Sequence, residues 1–187
     1  EGYTHAHELV MAQTQFVIGG ARSGKSAFAE QLAIANFNAT TDGGAGLFYL
    51  ATAQPFDDEM RARINLHQQR RNETWQTIDA PLDLPEKLRI CSHESAIILI
   101  DCLSIWITNL LIDNADIDAA RSALRDAVIA SPASVVIVAS ETGLGIVPDT
   151  PLSRKFRDAN GLTNLMIAEM SDSVYFVVAA IGQKIKP

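Results

Sequence analysis

The chain has 187 residues, of which 48% are hydrophobic and 20% are charged, a composition typical of one globular domain. Its formal net charge of −7 argues against a general nucleic-acid-binding surface, so any phosphate group must be bound by local basic residues. The two cysteines, Cys91 and Cys102, lack the spacing of a metal site and do not indicate a disulfide framework. No apolar run reaches the roughly 18 residues of a transmembrane helix, and residues 1–15 lack the pattern of a signal peptide, so we expect a cytoplasmic protein.

The sequence divides into a tail and one domain. Residues 1–13 are expected to form a disordered N-terminal extension, and residues 14–187 to form a P-loop domain. The domain starts with a short apolar strand, residues 16–18, which leads into a glycine-rich segment, residues 19–26. That segment matches the P-loop pattern of a glycine, four free positions and then Gly-Lys-Ser. A helix is predicted over residues 25–36, which completes the strand–loop–helix context that a P-loop requires.

The P-loop pattern predicts binding of a nucleoside triphosphate. In such a loop, backbone N–H groups and the positive end of the following helix surround the phosphate oxygens. Lys25 would neutralise the terminal phosphates, and Ser26 would hold Mg²⁺. The predicted phosphate-binding residues are Gly19, Gly20, Ala21, Arg22, Ser23, Gly24, Lys25 and Ser26.

Apolar runs and helical patterns alternate along the rest of the domain. Further strands are predicted at residues 47–52, 75–78, 96–101, 135–139 and 174–179, with an additional edge strand at 183–185. Further helices are predicted at residues 57–71, 82–90, 103–112, 116–130 and 152–170. This alternation predicts an α/β fold, a single P-loop NTPase domain whose mainly parallel central sheet is flanked by helices. Ligands of such sheets bind at the carboxyl ends of the strands.

Asp101 ends the apolar run of residues 96–100. Beside a P-loop, a carboxylate in this position would hold Mg²⁺, directly or through water. Alternatively, Asp101 would cap the helix that follows it. The P-loop earlier in the chain favours the metal-binding interpretation.

His67 lies in the helix predicted over residues 57–71, on the border between an apolar stripe and a stripe that carries Arg63 and Arg70. A neutral imidazole flanked by guanidinium groups is suited to attack a phosphorus atom. The other interpretation is a partly buried histidine on a basic, solvent-exposed helix face. The spacing alone favours this second interpretation.

Two familiar signatures are missing from the sequence. It contains no Asn-Lys-x-Asp guanine-reading motif, and no Asp-x-x-Gly motif begins at Asp101. These absences argue against a signalling-type GTPase. A small-molecule kinase without nucleotidyl transfer and a non-catalytic, nucleotide-gated binding module both remain open.

Several segments together resemble one family, the bifunctional adenosylcobinamide kinase/adenosylcobinamide-phosphate guanylyltransferases of cobalamin biosynthesis. The matching segments are residues 19–26, 49–53, 57–64 with His67, 108–111, 141–148, 156–158 and 181–186. The resemblance implies that ATP or GTP phosphorylates adenosylcobinamide. It further implies that GTP then guanylylates His67, and that the GMP passes to adenosylcobinamide phosphate to give adenosylcobinamide-GDP. It also implies a homotrimer.

The resemblance reverses the interpretation of His67 that spacing favoured and assigns further nucleotide contacts. Besides the P-loop, these are Ala51, Thr52, Ala53, Gln68, Gln69, Arg70, Arg71, Asp79 and Asp101. The chain departs from the family pattern because Leu66, not a second histidine, precedes His67. Asp79 and Asp101 stand where glutamates are usual, and a shorter carboxylate could need a water molecule to span the gap.

Two segments keep alternative interpretations. The very apolar helix predicted over residues 103–112 is either part of the core or a subunit interface. Residues 141–148, which follow the strand predicted over 135–139, either shape the cobinamide pocket or form a simple tight loop.

Overall fold

The computed structural model describes residues 12–40, 46–55, 58, 61 and 71–187. The strands are β1 (Thr14–Gly19), β2 (Leu47–Ala51), β3 (Trp75–Asp79), β4 (Ile97–Asp101), β5 (Ser134–Ser140), β6 (Ser173–Val178) and β7 (Ile181–Lys186). The helices described over their full length are α1 (Lys25–Ala39), α2 (Leu84–Cys91), α3 (Leu103–Ile112), α4 (Ile117–Ile129) and α5 (Pro151–Met170). Asp58 and Arg61 are also helical. None of the helices in these ranges is both long and apolar enough to cross a membrane.

The strands form one seven-stranded sheet in the order β3-β2-β4-β5-β1-β6-β7. All neighbouring strands are parallel except β6 and β7, which pair antiparallel. Every residue of β4 is buried, as is every residue of β5 except Ser140. Continuous apolarity of this kind is required by a parallel strand that is covered on both faces. The predicted fold class, an α/β domain with a mainly parallel sheet, is confirmed.

Each face of the sheet packs against different helices. Phe16, Leu50 and Ile98 point to the face covered by α2, α3, α4 and α5, where the largest apolar cluster lies. Val17 and Leu99 point to the opposite face, which packs against Ala29 and Ala33 of α1. The side chains that face α1 are therefore those that can approach the P-loop helix.

The apolar helix α3 belongs to the core. Trp106 and Ile107 are fully buried within the chain, and Leu110 is nearly so. The Trp106 indole N–H donates to the Leu82 carbonyl oxygen over 3.0 Å, so its polar atom is also satisfied. Of the two interpretations of this helix, core and subunit interface, the structure supports the core.

The predicted boundaries agree with the structure to within about two residues for most elements, which is the usual scatter of helix and strand ends. The caps explain two of the starts, because the Asp116 side chain accepts from Ala119 N and the Thr150 side chain accepts from Ser153 N. Most of the helix predicted over residues 57–71 lies outside the described residues. The prediction was wrong at its last residue, since Arg71 is not helical and the chain turns at once into β3.

The tail predicted over residues 1–13 lies almost entirely outside the described residues. Gln13 is described, and its carbonyl oxygen accepts from Val135 N over 2.8 Å beside β5. The boundary between tail and domain at residue 14 stays a prediction.

Candidate active site

Most of the predicted site residues that the structure describes lie along one edge of the sheet. The P-loop follows β1, whose last residue, Gly19, is paired with Ser140 at the end of β5. Ala51, at the end of β2, is paired with Asp79 on one side and with Asp101 on the other. The carboxyl ends of five parallel strands therefore lie side by side along this edge, which is where α/β sheets bind ligands.

The P-loop backbone requires glycine at two positions. Gly24 has a φ of 89°, in the left-handed region, and a Cβ there would lie 2.9 Å from the Cα of Ala180. A Cβ on Gly19 would collide with the carbonyl oxygen of Val177 in β6. The Ala180 N–H also donates to the Ser23 carbonyl oxygen over 2.7 Å. The end of β6 and the turn that follows it therefore pack against the P-loop and fix its backbone.

The start of α1 has the properties of an anion site. Its N-cap, Gly24, offers no side-chain acceptor, and its first turn contains no acidic residue. The first N–H groups of a helix have no intrahelical partner and carry the positive end of the helix dipole. Lys25 adds an ammonium group, which donates to the Gly20 carbonyl oxygen over 3.1 Å and so lies against the loop. The arrangement suits the phosphates of a nucleotide.

The Asp101 side chain points towards the start of α1 and accepts two hydrogen bonds there. Ser26 Oγ donates to Asp101 Oδ1 over 3.3 Å, and the Tyr49 hydroxyl donates to Asp101 Oδ2 over 3.1 Å. The N-cap of α3 is Cys102 rather than Asp101, so the capping interpretation of Asp101 was wrong. The carboxylate instead reaches Ser26 directly, although it is an aspartate where the resemblance expects a glutamate.

The pair Ser26 and Asp101 offers a hydroxyl and a carboxylate oxygen, the hard ligands that Mg²⁺ prefers. Within the described ranges, no group of three or more His, Cys, Asp or Glu side chains could hold a metal by itself. Mg²⁺ often binds through one or two protein oxygens, with waters and substrate phosphates completing the octahedron. The two residues fit such a site.

Tyr49 is buried on the face of the sheet that packs against α1. Loss of hydration and the neighbouring Asp101 charge raise the pKa of its hydroxyl well above the usual value, so the phenol stays protonated and remains a donor. The Arg71 guanidinium lies 3.6 Å from the centre of the Tyr49 ring, a cation–π contact. No role was predicted for Tyr49 from the sequence. The available signal was a phenol inside an apolar strand, since a buried hydroxyl needs a partner.

Thr52 fastens the end of β2 to the residue after β4. Its hydroxyl donates to the Cys102 carbonyl oxygen over 2.8 Å and accepts from Cys102 N over 2.9 Å. Asn109 Nδ2 of α3 donates to the Thr52 carbonyl oxygen over 2.8 Å. Burial raises the pKa of the Cys102 thiol to about 12, so this cysteine is a core residue. The hydroxyl of Thr52 is therefore used by hydrogen bonds inside the protein. Of its predicted partners in nucleotide binding, Ala51 is half-buried and Asp79 is exposed.

A cleft of about 380 Å³ opens beside the P-loop. Its lining residues are Gly20, Ala21, Arg22, Ser23, Glu141, Leu144, Gly145, Phe176, Val177, Val178 and Ala179. The loop after β5 forms one wall, and its root is held by Asn160 Nδ2, which donates to the Ser140 carbonyl oxygen over 2.9 Å. Leu144 in this wall is 84% exposed, and Ile146, two residues further along the same loop, is 96% exposed. We call these two side chains the apolar rim of the cleft.

Among the residues that the structure describes, His93 is the only histidine. His93 is exposed and lies before β4 begins, at the amino edge of the sheet, where its ring contacts Phe48 edge-on at 5.8 Å. The P-loop lies at the carboxyl edge, so His93 is on the wrong side for a nucleotide. His67 lies outside the described residues, as do the neighbouring predicted contacts Gln68, Gln69 and Arg70.

Comparison with known proteins gives a consistent result. Residues 15–185 match the family described as CobU, cobinamide kinase / cobinamide phosphate guanyltransferase. The bifunctional adenosylcobalamin biosynthesis protein CobP of Pseudomonas aeruginosa is 40% identical over 172 residues, which cover 91% of this chain and 95% of the relative. The corresponding CobU proteins of Escherichia coli K12 and Salmonella typhimurium LT2 are 38% and 37% identical over 185 residues, covering 91% of this chain and 98% of each relative.

Proposed function

The chain belongs to the CobU family of cobinamide kinases / cobinamide phosphate guanyltransferases, and we propose that one P-loop presents the nucleotide for both of its reactions. In the first, the γ-phosphoryl group of ATP or GTP passes to a hydroxyl of adenosylcobinamide. In the second, His67 attacks the α-phosphorus of GTP and releases pyrophosphate, and the GMP then passes to adenosylcobinamide phosphate. The product is adenosylcobinamide-GDP.

The observation that carries the proposal is the meeting of Lys25, Ser26 and Asp101 at the start of α1. Backbone N–H groups of residues 19–26 would bind phosphate oxygens, and the Lys25 ammonium would shift from Gly20 O to the terminal phosphates. Ser26 and Asp101 would hold Mg²⁺, which supplies positive charge against the phosphates in both transfers. Negative charge develops on the leaving phosphate in each reaction, so the same groups serve both.

Arg71 supports the assignment of His67 as the second nucleophile. It follows His67 by four residues, a distance of at most about 14 Å along an extended chain. Its guanidinium lies on Tyr49, which in turn donates to Asp101. Arg71 lies before β3 begins, but its side chain reaches Tyr49 and so links this segment to Asp101 at the nucleotide edge. We assign Gln68, Gln69, Arg70 and Arg71 to the same nucleotide, together with Ala51, Ala53 and Asp79. Thr52 is fully buried, so we assign it the indirect role of holding Ala51 and Ala53 in place for the nucleotide.

Two radioactive labels test the proposal with the unaltered protein. GTP labelled at the γ-phosphate should transfer its label to adenosylcobinamide. GTP labelled at the α-phosphate should label the protein, in a bond stable to alkali and labile to acid, and adenosylcobinamide phosphate should then remove that label. A kinase without guanylyl transfer would give the first result and leave the protein unlabelled. A nucleotide-gated binding module would transfer neither label. The proposal would be refuted by the result expected of the kinase and equally by the result expected of the binding module.

The apolar rim of the cleft is the part of the site that we assign to the corrinoid. Ile146 is 96% exposed, so its replacement disturbs no packing inside the chain. We expect Ile146→Asp to raise the KM for adenosylcobinamide by about tenfold, because a charged group on an apolar contact surface must be desolvated on binding. Steady-state kinetics would measure this, with Ile112→Asp on the remote helix α3 as the control. If both variants have the KM of the unaltered protein, residues 141–148 do not contact the corrinoid and form a simple tight loop.

We also propose a homotrimer. Because most of α3 is inside the core, we place the contacts between copies on another surface. Helix α5 exposes Leu152, Leu162 and Leu165 by 53–67%. Exposed leucines on one helix are candidates for such an interface.

A further inference from the structure

We infer that Tyr49 is a positioning residue that fixes the Asp101 carboxylate for the metal-bound nucleotide. The inference rests on the metal role proposed for Asp101 and assigns a new residue to that site. The observations that carry it are the hydrogen bond of the Tyr49 hydroxyl to Asp101 Oδ2, the burial of both groups, and the contacts that immobilise the ring.

The register of the sheet brings the two side chains together. Ala51 of β2 is paired with Asp101 of β4, and Tyr49 lies two residues before Ala51. Side chains two residues apart on a strand point to the same face, so the phenol extends diagonally towards the carboxylate. Tyr49 is 5% exposed and Asp101 is 9% exposed, so water competes little with the 3.1 Å hydrogen bond between them.

The ring of Tyr49 has little freedom to turn away. One side carries the Arg71 guanidinium, 3.6 Å from the ring centre. Trp75 of β3 packs edge-on against it, with 6.1 Å between the ring centres. A hydroxyl held at a fixed position can orient a carboxylate, whereas a mobile hydroxyl would follow it.

The carboxylate needs such an anchor, because the terminal torsion of an aspartate is broad and roughly two-fold. With Oδ2 held by Tyr49, the plane of the carboxylate is set and Oδ1 points to Ser26 Oγ, 3.3 Å away. Ser26 and Oδ1 are the two oxygens that would face Mg²⁺. Groups that orient metal ligands in this way commonly change metal affinity by about 10- to 100-fold when they are removed.

A purely structural role makes a different prediction. If Tyr49 only fills the core, then Tyr49→Phe removes one hydroxyl, keeps the ring and its contacts with Arg71 and Trp75, and leaves metal binding unchanged. If Tyr49 orients Asp101, the same variant weakens metal binding and leaves metal-free nucleotide binding unchanged.

The test uses Mn²⁺ as a spin probe, bound to the protein together with a non-hydrolysable GTP analogue. Electron paramagnetic resonance titration should show about tenfold weaker Mn²⁺ binding for Tyr49→Phe. Tyr175→Phe is the matched control, because Tyr175 also lies in a strand and packs its ring on Phe28 at 5.4 Å. If Tyr49→Phe binds Mn²⁺ as tightly as the unaltered protein, the inference is overturned.

A double-mutant cycle with Asp101→Asn separates this inference from the metal role on which it rests. If Asp101→Asn binds Mn²⁺ as well as the unaltered protein, the metal role proposed for Asp101 is wrong. If Asp101→Asn weakens binding and Tyr49→Phe does not, only the inference about Tyr49 is wrong. If Tyr49 acts through Asp101, adding Tyr49→Phe to Asp101→Asn should have no further effect, and a full further tenfold loss would overturn the inference.

A second measurement avoids the substitution, in case Tyr49→Phe fails to fold. The chain has three tyrosines, so incorporated fluorotyrosine gives few ¹⁹F resonances. Tyr3→Phe and Tyr175→Phe assign two of them and leave the third to Tyr49. Adding Mg²⁺ to the nucleotide complex should shift the Tyr49 resonance and leave that of Tyr175 in place. An unshifted Tyr49 resonance would contradict the inference.

Discussion

Replacing His67 by alanine is expected to abolish labelling of the protein by α-labelled GTP. The imidazole supplies the electron pair that forms the bond to the α-phosphorus, and alanine has no group that can replace it. We expect guanylyl transfer to fall by about 10⁴-fold or more, as when other enzymes lose a nucleophile. Phosphorylation of adenosylcobinamide should remain within a few-fold of the unaltered rate, because the γ-phosphoryl group passes directly to the substrate hydroxyl.

The control for this variant is His93→Ala. His93 is exposed and lies at the amino edge of the sheet, so both transfers should proceed at unaltered rates. Retention of the α-label in His67→Ala would show that another residue is the nucleophile. Loss of both activities in His67→Ala, with an unaltered unfolding temperature, would show that His67 serves the nucleotide site as a whole.

Replacing Lys25 by alanine is expected to reduce both transfers together. The Lys25 ammonium would neutralise charge that develops on the phosphates in each transition state, and a positioned donor of this kind is worth about 10²–10³-fold in rate. Assays with the γ-label and the α-label on the same preparation would measure the two losses. Lys155→Ala is the control, because Lys155 is an exposed lysine on α5 away from the loop.

The ratio of the two losses decides how many nucleotide sites exist. Similar losses in Lys25→Ala indicate one P-loop that serves two attacks. A loss of γ-phosphoryl transfer with unaltered labelling of His67 would mean that GTP binds elsewhere for guanylyl transfer, and the proposal of a shared site would be wrong.

Local patterns in the sequence were sufficient to predict most of the fold. The short runs at β4 and β5 are apolar without alternation, as a parallel strand buried on both faces requires, and the P-loop pattern predicted that α1 follows β1. The order of the strands was not predicted, because it depends on packing between elements far apart in the chain. Helix α3 kept two interpretations for the same reason, since a helix that is apolar on all sides shows no preferred partner.

The site was predicted in part. Ser26 and Asp101 are 75 residues apart, and their pairing followed from P-loop chemistry rather than from any local signal. Tyr49 was missed because its role depends on the register between β2 and β4, which the sequence of neither strand reveals. Asp101 accepts hydrogen bonds from Ser26 and Tyr49, and the bridging water expected between its shorter carboxylate and the ligand stays a prediction.

Identifying the residue that carries GMP tests the proposed mechanism most directly. The unaltered protein would be incubated with GTP and Mg²⁺ without a corrinoid, digested at alkaline pH to preserve the N–P bond, and analysed by tandem mass spectrometry. The peptide containing His67 should carry one GMP on the imidazole, and prior addition of adenosylcobinamide phosphate should remove it. GMP on His93 or on a lysine, or no adduct while adenosylcobinamide-GDP still forms, would contradict the mechanism.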